Sequence, residues 1–340
     1  MGKQTLSLAE LAGAVGGKVS GNGRRSVSGV SPAGVFDADR LSFVDSPELA
    51  KSVPSEVPVL AEEGKFPAGY DGVIVKSFRQ SMARVLALFE PRTPVCPGVS
   101  PAASVSPGAL VDASAFVGPF CVVSRGAKIG PNVRLTARVY VGEDVQVGEG
   151  TVLEPGVTIH RRCAVGRDCY VDAGTVIGSD GFGFIPGGPD SSPVKIPQIG
   201  AVKIGDRVAI GACVTIDRGT IGDTMVGDDT KIDNQVQIGH NAQIGRNCII
   251  TSQSGLSGSV VIEDGAILAV RSGIQDHRRV GRGAVVAALS GVTKDVPAGA
   301  VVSGFPARDH REDFKTLALI RRLPELFDRL KRLESSKQAD

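Results

Sequence analysis

The sequence contains no tryptophan, and aromatic residues make up only 4% of its 340 residues. Its core must therefore consist mainly of aliphatic side chains. The chain also lacks an apolar run of the roughly 18 residues that a membrane-spanning helix requires, and it does not begin with the basic and apolar segments of a secretory signal. We therefore expect a soluble, cytoplasmic protein with no transmembrane segment.

An excess of charge of one sign is also missing. The sequence has 38 Lys and Arg residues against 36 Asp and Glu residues, which leaves a formal net charge of +2. A dedicated nucleic-acid-binding protein usually carries a strong basic excess or a long basic block, and neither occurs here. The composition thus argues against nucleic acid as a partner.

A six-residue repeat dominates the middle of the chain. From Val99 to Ile177 every sixth residue is aliphatic, the residue four places later is small or β-branched, and Gly or Pro is frequent between them. This period fits neither an α-helix nor a simple alternating strand, but it is typical of a hexapeptide β-helix. Three hexads close a triangular coil with the aliphatic side chains inside, and stacking on the next coil stabilises each one.

The register returns from Ile204 to Ile216, slips by four residues, and resumes from Val226 to Val292. In total the repeat predicts about ten coils, a prism roughly 45 Å long at the usual strand spacing. We therefore predict a mainly β protein whose central domain, residues 96–306, is a parallel β-helix.

The six cysteines form no CxxC pair and have no histidine cluster nearby. Four of them occupy the small inward positions of their hexads: Cys121, Cys163, Cys169 and Cys248. Because a free cysteine packs as a small apolar residue, we interpret them as core residues rather than metal ligands or disulfide partners.

Two flanking regions lack the repeat. Residues 1–95 combine a capping-box signature from Ser7 to Glu10 with short apolar segments and a second helix that begins at Ser77, which indicates a small α/β domain. Residues 307–340 are expected to form a helical tail, which Pro324 must kink or restart. Its leucines have coiled-coil spacing, which predicts self-association. They are Leu319, Leu323, Leu326, Leu330 and Leu333.

The repeat is interrupted between Ile177 and Ile204 by a segment that places Phe182 and Phe184 among glycines. Loops on rigid scaffolds often carry function, so we expect these aromatic side chains to contact a ligand. A tolerated insertion without function is the alternative.

Only four histidines are present, and two of them stand out. His240 occupies an outward turn position, and His277 follows two coils and one residue later, so both should lie on one edge, about 10 Å apart along the axis. Beside them, Arg278 occupies a position that should be small and inward, and we expect the coil to be distorted there. Such local rule-breaking favours a functional site, with His240 as a general base rather than a surface residue.

Several strings resemble one family closely. They are Ile177-Gly-Ser-Asp-Gly-Phe-Gly-Phe, Lys195-Ile-Pro-Gln-Ile-Gly, Ile210-Gly-Ala-Cys-Val-Thr-Ile-Asp-Arg-Gly-Thr, Ile232-Asp-Asn-Gln-Val-Gln-Ile-Gly-His-Asn and Ser303-Gly-Phe-Pro. The period resembles that of the left-handed β-helix acyltransferases, which are trimers with active sites between subunits. The strings resemble those of the UDP-3-O-(3-hydroxyacyl)glucosamine N-acyltransferases of lipid A biosynthesis over the whole chain.

This resemblance implies a set of roles. The donor would be a 3-hydroxyacyl chain on the phosphopantetheine of acyl carrier protein, with no separate cofactor and no metal. His240 would be the general base, His277 would help to position substrates, and the Gly258 N–H would face the thioester oxygen. Phe43 would stack on uracil, although Ser46 and Leu49 stand where the family commonly has Asn and Tyr.

Further substrate contacts are expected at Phe182, Phe184, Asp233, Asn234, Gln237 and Asn241, with Ser290 at the end of the acyl groove. The basic tail, and Arg321, Arg322 and Arg329 in particular, would bind the acidic carrier protein; a merely solvated helix face is the alternative.

The chemistry is compatible with this set of residues. An amine attacks a thioester in its neutral form and must then lose a proton, so one imidazole base is sufficient and contributes about 10²–10⁴ in rate. Three other functions remain open: an acetyl-CoA-dependent nucleotide-amino-sugar N-acetyltransferase of the same fold, a zinc hydratase, which would need three histidine ligands, and a scaffold without catalysis.

Overall fold

The computed structural model describes residues 5–91, 95–189, 191–304 and 310–337, without the side chains of residues 310–314 and 333–337. The chain divides into two compact units, Met1–Pro94 and Val95–Asp340.

The N-terminal unit is a small α/β domain. Its elements are β1 (Leu6–Ser7), α1 (Leu8–Val15), β2 (Lys18–Ser20), β3 (Ser26–Val27), β4 (Ser42–Val44), α2 (Pro47–Ser52), β5 (Val59–Glu62), β6 (Gly72–Val75) and α3 (Phe78–Phe89). Four strands form one sheet in the order β2-β6-β5-β4, and β1 pairs with β3.

Both ends of α1 follow from local sequence. The Ser7 side chain accepts from the Glu10 N–H while the Glu10 carboxylate accepts from the Ser7 N–H, which confirms the predicted capping box. The helix ends at Gly16, which has a left-handed conformation. Its apolar face, which includes Leu8 and Leu11, packs with Val85 of α3 in the core of this unit.

The second unit begins with short strands separated by turns. They are β7 (Gly98–Val99), β8 (Ser104–Val105), β9 (Leu110–Val111), β10 (Phe116–Val117), β11 (Val122–Val123), β12 (Lys128–Ile129), β13 (Arg134–Leu135), β14 (Tyr140–Val141), β15 (Gln146–Val147), β16 (Val152–Leu153), β17 (Thr158–Ile159), β18 (Ala164–Val165), β19 (Tyr170–Val171) and β20 (Val176–Ser179).

A hairpin of β21 (Phe184–Ile185) and β22 (Val194–Lys195) then leaves the repeat. The remaining strands are β23 (Ala201–Ile204), β24 (Ala209–Ile210), β25 (Thr215–Asp217), β26 (Asp223–Val226), β27 (Lys231–Ile232), β28 (Gln237–Ile238), β29 (Gln243–Ile244), β30 (Ile249–Ile250), β31 (Gly255–Leu256), β32 (Val261–Ile262), β33 (Ile267–Leu268), β34 (Gly273–Ile274), β35 (Arg279–Val280), β36 (Val285–Val286), β37 (Gly291–Val292) and β38 (Val301–Val302).

These strands form three parallel sheets of 11, 10 and 9 strands, the three faces of a β-helix, as predicted. Register follows the hexads: Val117 pairs with Val99 below it and with Leu135 above it. Val165 pairs with Ile204 across the insertion, so the extra residues leave the ladder intact. The repeating aliphatic side chains fill one continuous buried core.

The small inward positions are also buried. Cys121, Cys163, Cys169 and Cys248 are buried and free, as predicted. Burial raises the pKa of each of these four thiols. Several inward hydroxyls donate to backbone carbonyls; Thr151, for example, donates to the Gly166 carbonyl at 2.8 Å.

The predicted distortion at Arg278 is wrong. Val261 pairs with Arg279 and Ile262 with Val280, so the ladder keeps its register through this coil. The long side chain is half-buried instead of filling the core. Its Nε is buried and has no partner among the residues that the structure describes.

The chain ends in two helices, α4 (His310–Arg321) and α5 (Leu323–Lys337). Pro324 is the second residue of α5, where it costs no helical hydrogen bond, so it restarts the helix as expected. The seam side chains Leu319 and Leu326 are 66% and 52% exposed in the single chain; the Leu333 side chain lies outside the description. No helix in the described part of the chain is both long and apolar enough to span a bilayer.

Candidate active site

Three features stack on one corner of the β-helix. The insertion, residues 180–200, connects β20 to β23, and the four-residue slip lies in the next coil between β25 and β26. His240 follows one coil later, in the turn between β28 and β29. Because successive coils are in register, both irregular loops project beside His240.

A groove of about 800 Å³ opens at this corner. It brings together five of the predicted residues: His240, Gly258, Gln237, Phe182 and Phe184. Three charged residues that the sequence analysis did not single out also line it, namely Asp180, Lys195 and Asp217.

The imidazole of His240 is held from its Nδ1 side. Nδ1 lies 3.2 Å from Asn241 Oδ1. The Asn241 amide has one orientation, because Oδ1 accepts from the Thr220 N–H and Nδ2 donates to the Ile221 carbonyl, both at 2.9 Å. An amide oxygen can only accept, so Nδ1 carries a proton, and in the neutral imidazole Nε2 keeps its lone pair.

The Asn241 side chain also has a structural role. It contacts the 218–222 loop and His240, so it orients the imidazole. The predicted contact of Asn241 with substrate stays a prediction.

Two glycines enclose the ring. A Cβ added to Gly258 would lie 2.6 Å from His240 Nε2, and one added to Gly181 would lie 2.7 Å from the His240 Cβ. Neither position can accept a side chain without displacing the ring. Among the described residues, no protein group accepts a hydrogen bond from the Gly258 N–H, so this donor is free to bond a ligand.

The insertion forms an aromatic wall of the groove. The rings of Phe182 and Phe184 lie 5.1 Å apart, and Phe182 is 86% exposed. Below them Lys195 forms an ion pair with Asp180 at 2.6 Å, which holds the pKa of the Asp180 carboxyl below its usual range.

Arg218 anchors the base of the insertion. Its side chain is 1% exposed and donates to the carbonyls of Gly178 at 2.7 Å, Arg161 at 3.1 Å and Gly200 at 3.3 Å. Asp180 lies 3.9 Å away. A buried guanidinium needs such partners, and it ties both ends of the insertion to the coil beneath.

Asp217 is a half-buried carboxyl at the edge of the groove. It accepts from the Ser179 hydroxyl at 2.8 Å and from Gln237 Nε2 at 2.9 Å. Burial raises the pKa of this carboxyl above its ordinary value. Gln237 also accepts from the Thr215 hydroxyl, so its amide is held by protein groups at both ends.

Two expected substrate contacts lie elsewhere. Asp233 and Asn234 are in the turn between β27 and β28, a different corner from that of His240. The Asp233 carboxylate accepts from the Ser252 N–H, and Asn234 Oδ1 accepts from the Ala212 N–H. Both side chains stabilise their own corner and lie outside the groove of this chain.

Ser290 also lies outside the groove, against expectation. It is 3% exposed, and its hydroxyl accepts from the Gly304 N–H at 3.0 Å inside the last coils. It occupies an inward hexad position, and that position explains its burial. Ser290 does not line the groove beside His240, and its place at the end of an acyl groove stays a prediction.

His277 lies on the predicted corner, two coils beyond His240. Its backbone N–H donates to the Gly258 carbonyl at 3.1 Å, so it fixes the Gly258 peptide. Its side chain is exposed and does not line the groove.

The N-terminal unit has its own pocket of about 290 Å³ around Phe43. Phe43 packs edge-to-face on Phe78 with ring centroids 6.1 Å apart. Ser46 caps α2 by accepting from the Leu49 N–H at 3.3 Å, so this residue has a structural role. Leu49 lines the pocket together with Phe36.

The basic residues of the tail are exposed. Arg321 ends α4, and Arg322 lies 3.6 Å from Glu325 in an exposed ion pair of little energetic weight. Arg322 and Arg329 border a hollow of about 160 Å³ against the leucines of α4 and α5.

The bacterial transferase hexapeptide (six repeats) family matches residues 223–258. The chain is 43% identical to the UDP-3-O-acylglucosamine N-acyltransferase of Syntrophus aciditrophicus over 97% of this chain and 92% of that protein. It is 38% identical to the enzyme of the same name from Granulibacter bethesdensis over 93% of each chain.

Other matches are shorter. With the protein of that name from Methylobacterium sp. (strain 4-46), the match is 39% identical and covers 43% of this chain and 41% of the relative, so this chain spans less than half the length of such relatives. The solved structure of Arabidopsis UDP-N-acetylglucosamine acyltransferase is 24% identical with a TM-score of 0.54, covering 61% of this chain and 71% of that chain, which supports the fold alone.

Proposed function

This chain belongs to the UDP-3-O-acylglucosamine N-acyltransferase family, and we propose that it transfers a 3-hydroxyacyl chain from acyl carrier protein to the 2-amine of UDP-3-O-(3-hydroxyacyl)glucosamine in lipid A biosynthesis. The observation that supports this proposal at the level of the site is the His240 imidazole, whose Nδ1 contacts Asn241 Oδ1 and whose Nε2 edge faces Gly258 in an open groove.

The reaction needs one base and one oxyanion donor. The neutral amine attacks the thioester carbonyl, forming the C–N bond, and the nitrogen proton passes to His240 Nε2. The C–S bond then breaks, the carrier thiolate takes the proton from the imidazolium, and an amide is left. The Gly258 N–H stabilises the oxyanion between these steps, and loss of such a donor typically costs roughly 10²–10³ in rate.

The surroundings of the base fit this cycle. Nδ1–H donates to Asn241 Oδ1, which supports the imidazolium while it holds the second proton. Asp217 adds a carboxylate at the edge of the groove, where an approaching substrate ammonium would find an opposite charge.

The proposal gives the aromatic residues of each unit a ligand contact. The pocket at Phe43 binds the uracil ring by stacking, and Leu49 lines this pocket where the family commonly has Tyr. Phe182 and Phe184 pack against the substrate beside His240. His277, Asp233, Asn234 and Ser290 have no such support from the groove of the single chain.

The assembly in this proposal is a cytoplasmic homotrimer that meets acyl carrier protein through its tail. The exposed leucine seam supports self-association, because an exposed apolar stripe of this kind calls for a partner. The exposed Arg321, Arg322 and Arg329 support an acidic partner. The donor chain arrives on the phosphopantetheine of that carrier.

The alternatives lack comparable support. An acetyl-CoA-dependent enzyme of the same fold has no specific observation in its favour. A zinc hydratase would need three histidines together, and His240 is the only histidine among the described residues that line the groove.

A donor comparison tests the proposal. Purified protein and UDP-3-O-(3-hydroxyacyl)glucosamine are incubated with 3-hydroxyacyl carrier proteins of several chain lengths or with acetyl-CoA, and amides are identified by mass spectrometry. We expect a hydroxyacyl amide from the carrier protein. An acetyl amide formed at an equal or higher rate would replace the proposal with the acetyl-CoA alternative.

A further inference from the structure

A hydrogen-bond chain connects the insertion to His240. Gln198 follows β22 and is 3% exposed. Its Nε2 donates to the Ile196 carbonyl at 3.0 Å, which fixes the orientation of the amide and places Oε1 2.8 Å from the Thr220 hydroxyl. Since an amide oxygen can only accept, the Thr220 hydroxyl proton is committed to Gln198.

This commitment determines what Thr220 offers to the imidazole. Thr220 Oγ1 lies 3.4 Å from His240 Nδ1. With its proton directed to Gln198, the hydroxyl presents only lone pairs to Nδ1 and favours the tautomer with a proton there. A hydroxyl free to rotate could instead donate to Nδ1, and the proton would then move to Nε2. That opposite tautomer has no lone pair in the groove.

We propose that Gln198 is a positioning residue that holds the Thr220 hydroxyl proton and thereby keeps the His240 imidazole in the tautomer whose Nε2 can accept a proton. The proposal rests on the proposed role of His240 as the base. It gives the insertion a second task besides presenting its aromatic rings.

The packing of the insertion supports this assignment. Gly183, between the two phenylalanines, lies against the Gln198 amide, and a Cβ added there would be 2.9 Å from Nε2. The same segment that forms the aromatic wall therefore covers the amide and excludes water, which would otherwise compete for the Thr220 hydroxyl.

A double-mutant cycle separates this role from simple support of the loop. Gln198→Met removes both polar groups at similar length, and Thr220→Val removes the hydroxyl at similar shape. We expect Gln198→Met to lower kcat roughly three- to tenfold with KM for both substrates unchanged. Thr220→Val should cost less, because Asn241 still accepts from Nδ1.

The double variant is decisive. If the damage in Gln198→Met passes through the released hydroxyl, then Gln198→Met/Thr220→Val should recover to the level of Thr220→Val alone. A double variant as impaired as Gln198→Met, or more so, overturns the proposal, since loss of packing would not be cured by a second deletion.

The tautomer can also be read without turnover. Nitrogen NMR of histidine-labelled protein should show His240 with its proton on Nδ1 in the wild type, a shift of population toward Nε2–H in Gln198→Met, and a return in the double variant. Gln198→Glu keeps an acceptor and should keep the Nδ1–H tautomer. An unchanged tautomer in Gln198→Met, or loss of Nδ1–H in Gln198→Glu, would overturn the assignment.

These readouts separate the two proposals. Full activity of His240→Ala would show that His240 is not the base, whereas the NMR comparison of the Gln198 variants would still report the tautomer of His240. Failure of the proposed function and failure of the Gln198 assignment therefore give different results.

Discussion

The Nε2 edge of the His240 imidazole faces Gly258 so closely that a methyl group on Gly258 would lie 2.6 Å from Nε2. The proposed base and the proposed oxyanion donor thus lie on neighbouring coils, and the parallel register of β28 and β31 fixes their separation.

Gly258→Ala is therefore expected to displace the imidazole and to reduce turnover by about 10²-fold or more, close to removal of the base itself. The protein should still fold, since the residue is in a half-buried turn. The matched control is Gly291→Ala, where an added Cβ meets nothing within 4 Å. Activity of Gly258→Ala equal to that of the control would show that the ring is not confined by this glycine.

The repeat could be predicted well because its period is geometric. The aliphatic residue at every sixth position faces inward, and every third strand belongs to the same sheet. The corner shared by His240 and His277 therefore follows from counting residues. The same rule places Ser290 inside the coil, whereas the resemblance alone assigned it to the groove.

The contacts of the irregular loops could not be predicted from the period. Arg218 is enclosed by carbonyls at positions 161, 178 and 200, which come together only once the insertion has folded. From sequence alone Asn241 is a polar turn residue. Only the folded 218–222 loop shows that both ends of its amide are hydrogen-bonded. Arg278 occupies an inward position of the repeat, yet the strand ladder keeps its register there. A long, flexible side chain can extend out of the core toward solvent, so the backbone need not distort to accommodate it.

Thiol reactivity tests the burial of the core. Cys96 and Cys213 are exposed and the other four cysteines are buried. Burial raises the pKa of those four thiols, so less of the reactive thiolate forms at a given pH and access is blocked as well. Alkylation near pH 8 followed by peptide mass spectrometry should label Cys96 and Cys213 in the native protein. All six should be labelled in denaturant, and rapid native labelling of Cys163 or Cys248 would contradict the core.

Removing the basic tail residues tests the carrier-protein surface. The triple variant Arg321→Ala/Arg322→Ala/Arg329→Ala should raise KM for acyl carrier protein and leave KM for the UDP-sugar nearly unchanged. Added salt should bring the wild type toward the variant, because the Debye length falls below about 8 Å above physiological ionic strength.

The control for charge removal is Arg246→Ala/Arg282→Ala, which takes two exposed arginines from the β-helix. If the tail variant keeps its carrier-protein KM at low salt, the tail serves only in assembly and the donor binds elsewhere.

The leucine seam predicts a trimer that a single charge should weaken. Light scattering of the wild type at micromolar concentration should give three times the 35.1 kDa chain mass. Leu326→Asp places a charge on the exposed seam and should shift the population toward monomer, while Leu326→Met should not. A stable wild-type monomer would refute the proposed assembly.

The most direct test of the central claim is the rate of amide formation by His240→Ala. It is measured with 3-hydroxyacyl carrier protein and UDP-3-O-(3-hydroxyacyl)glucosamine, beside His160→Ala as the control, because His160 lies on the same corner between β17 and β18 and does not line the groove. The account predicts a fall of at least about 10² in turnover for His240→Ala, with folding and oligomeric state preserved and His160→Ala near wild type. Turnover of His240→Ala within a few fold of wild type would contradict it.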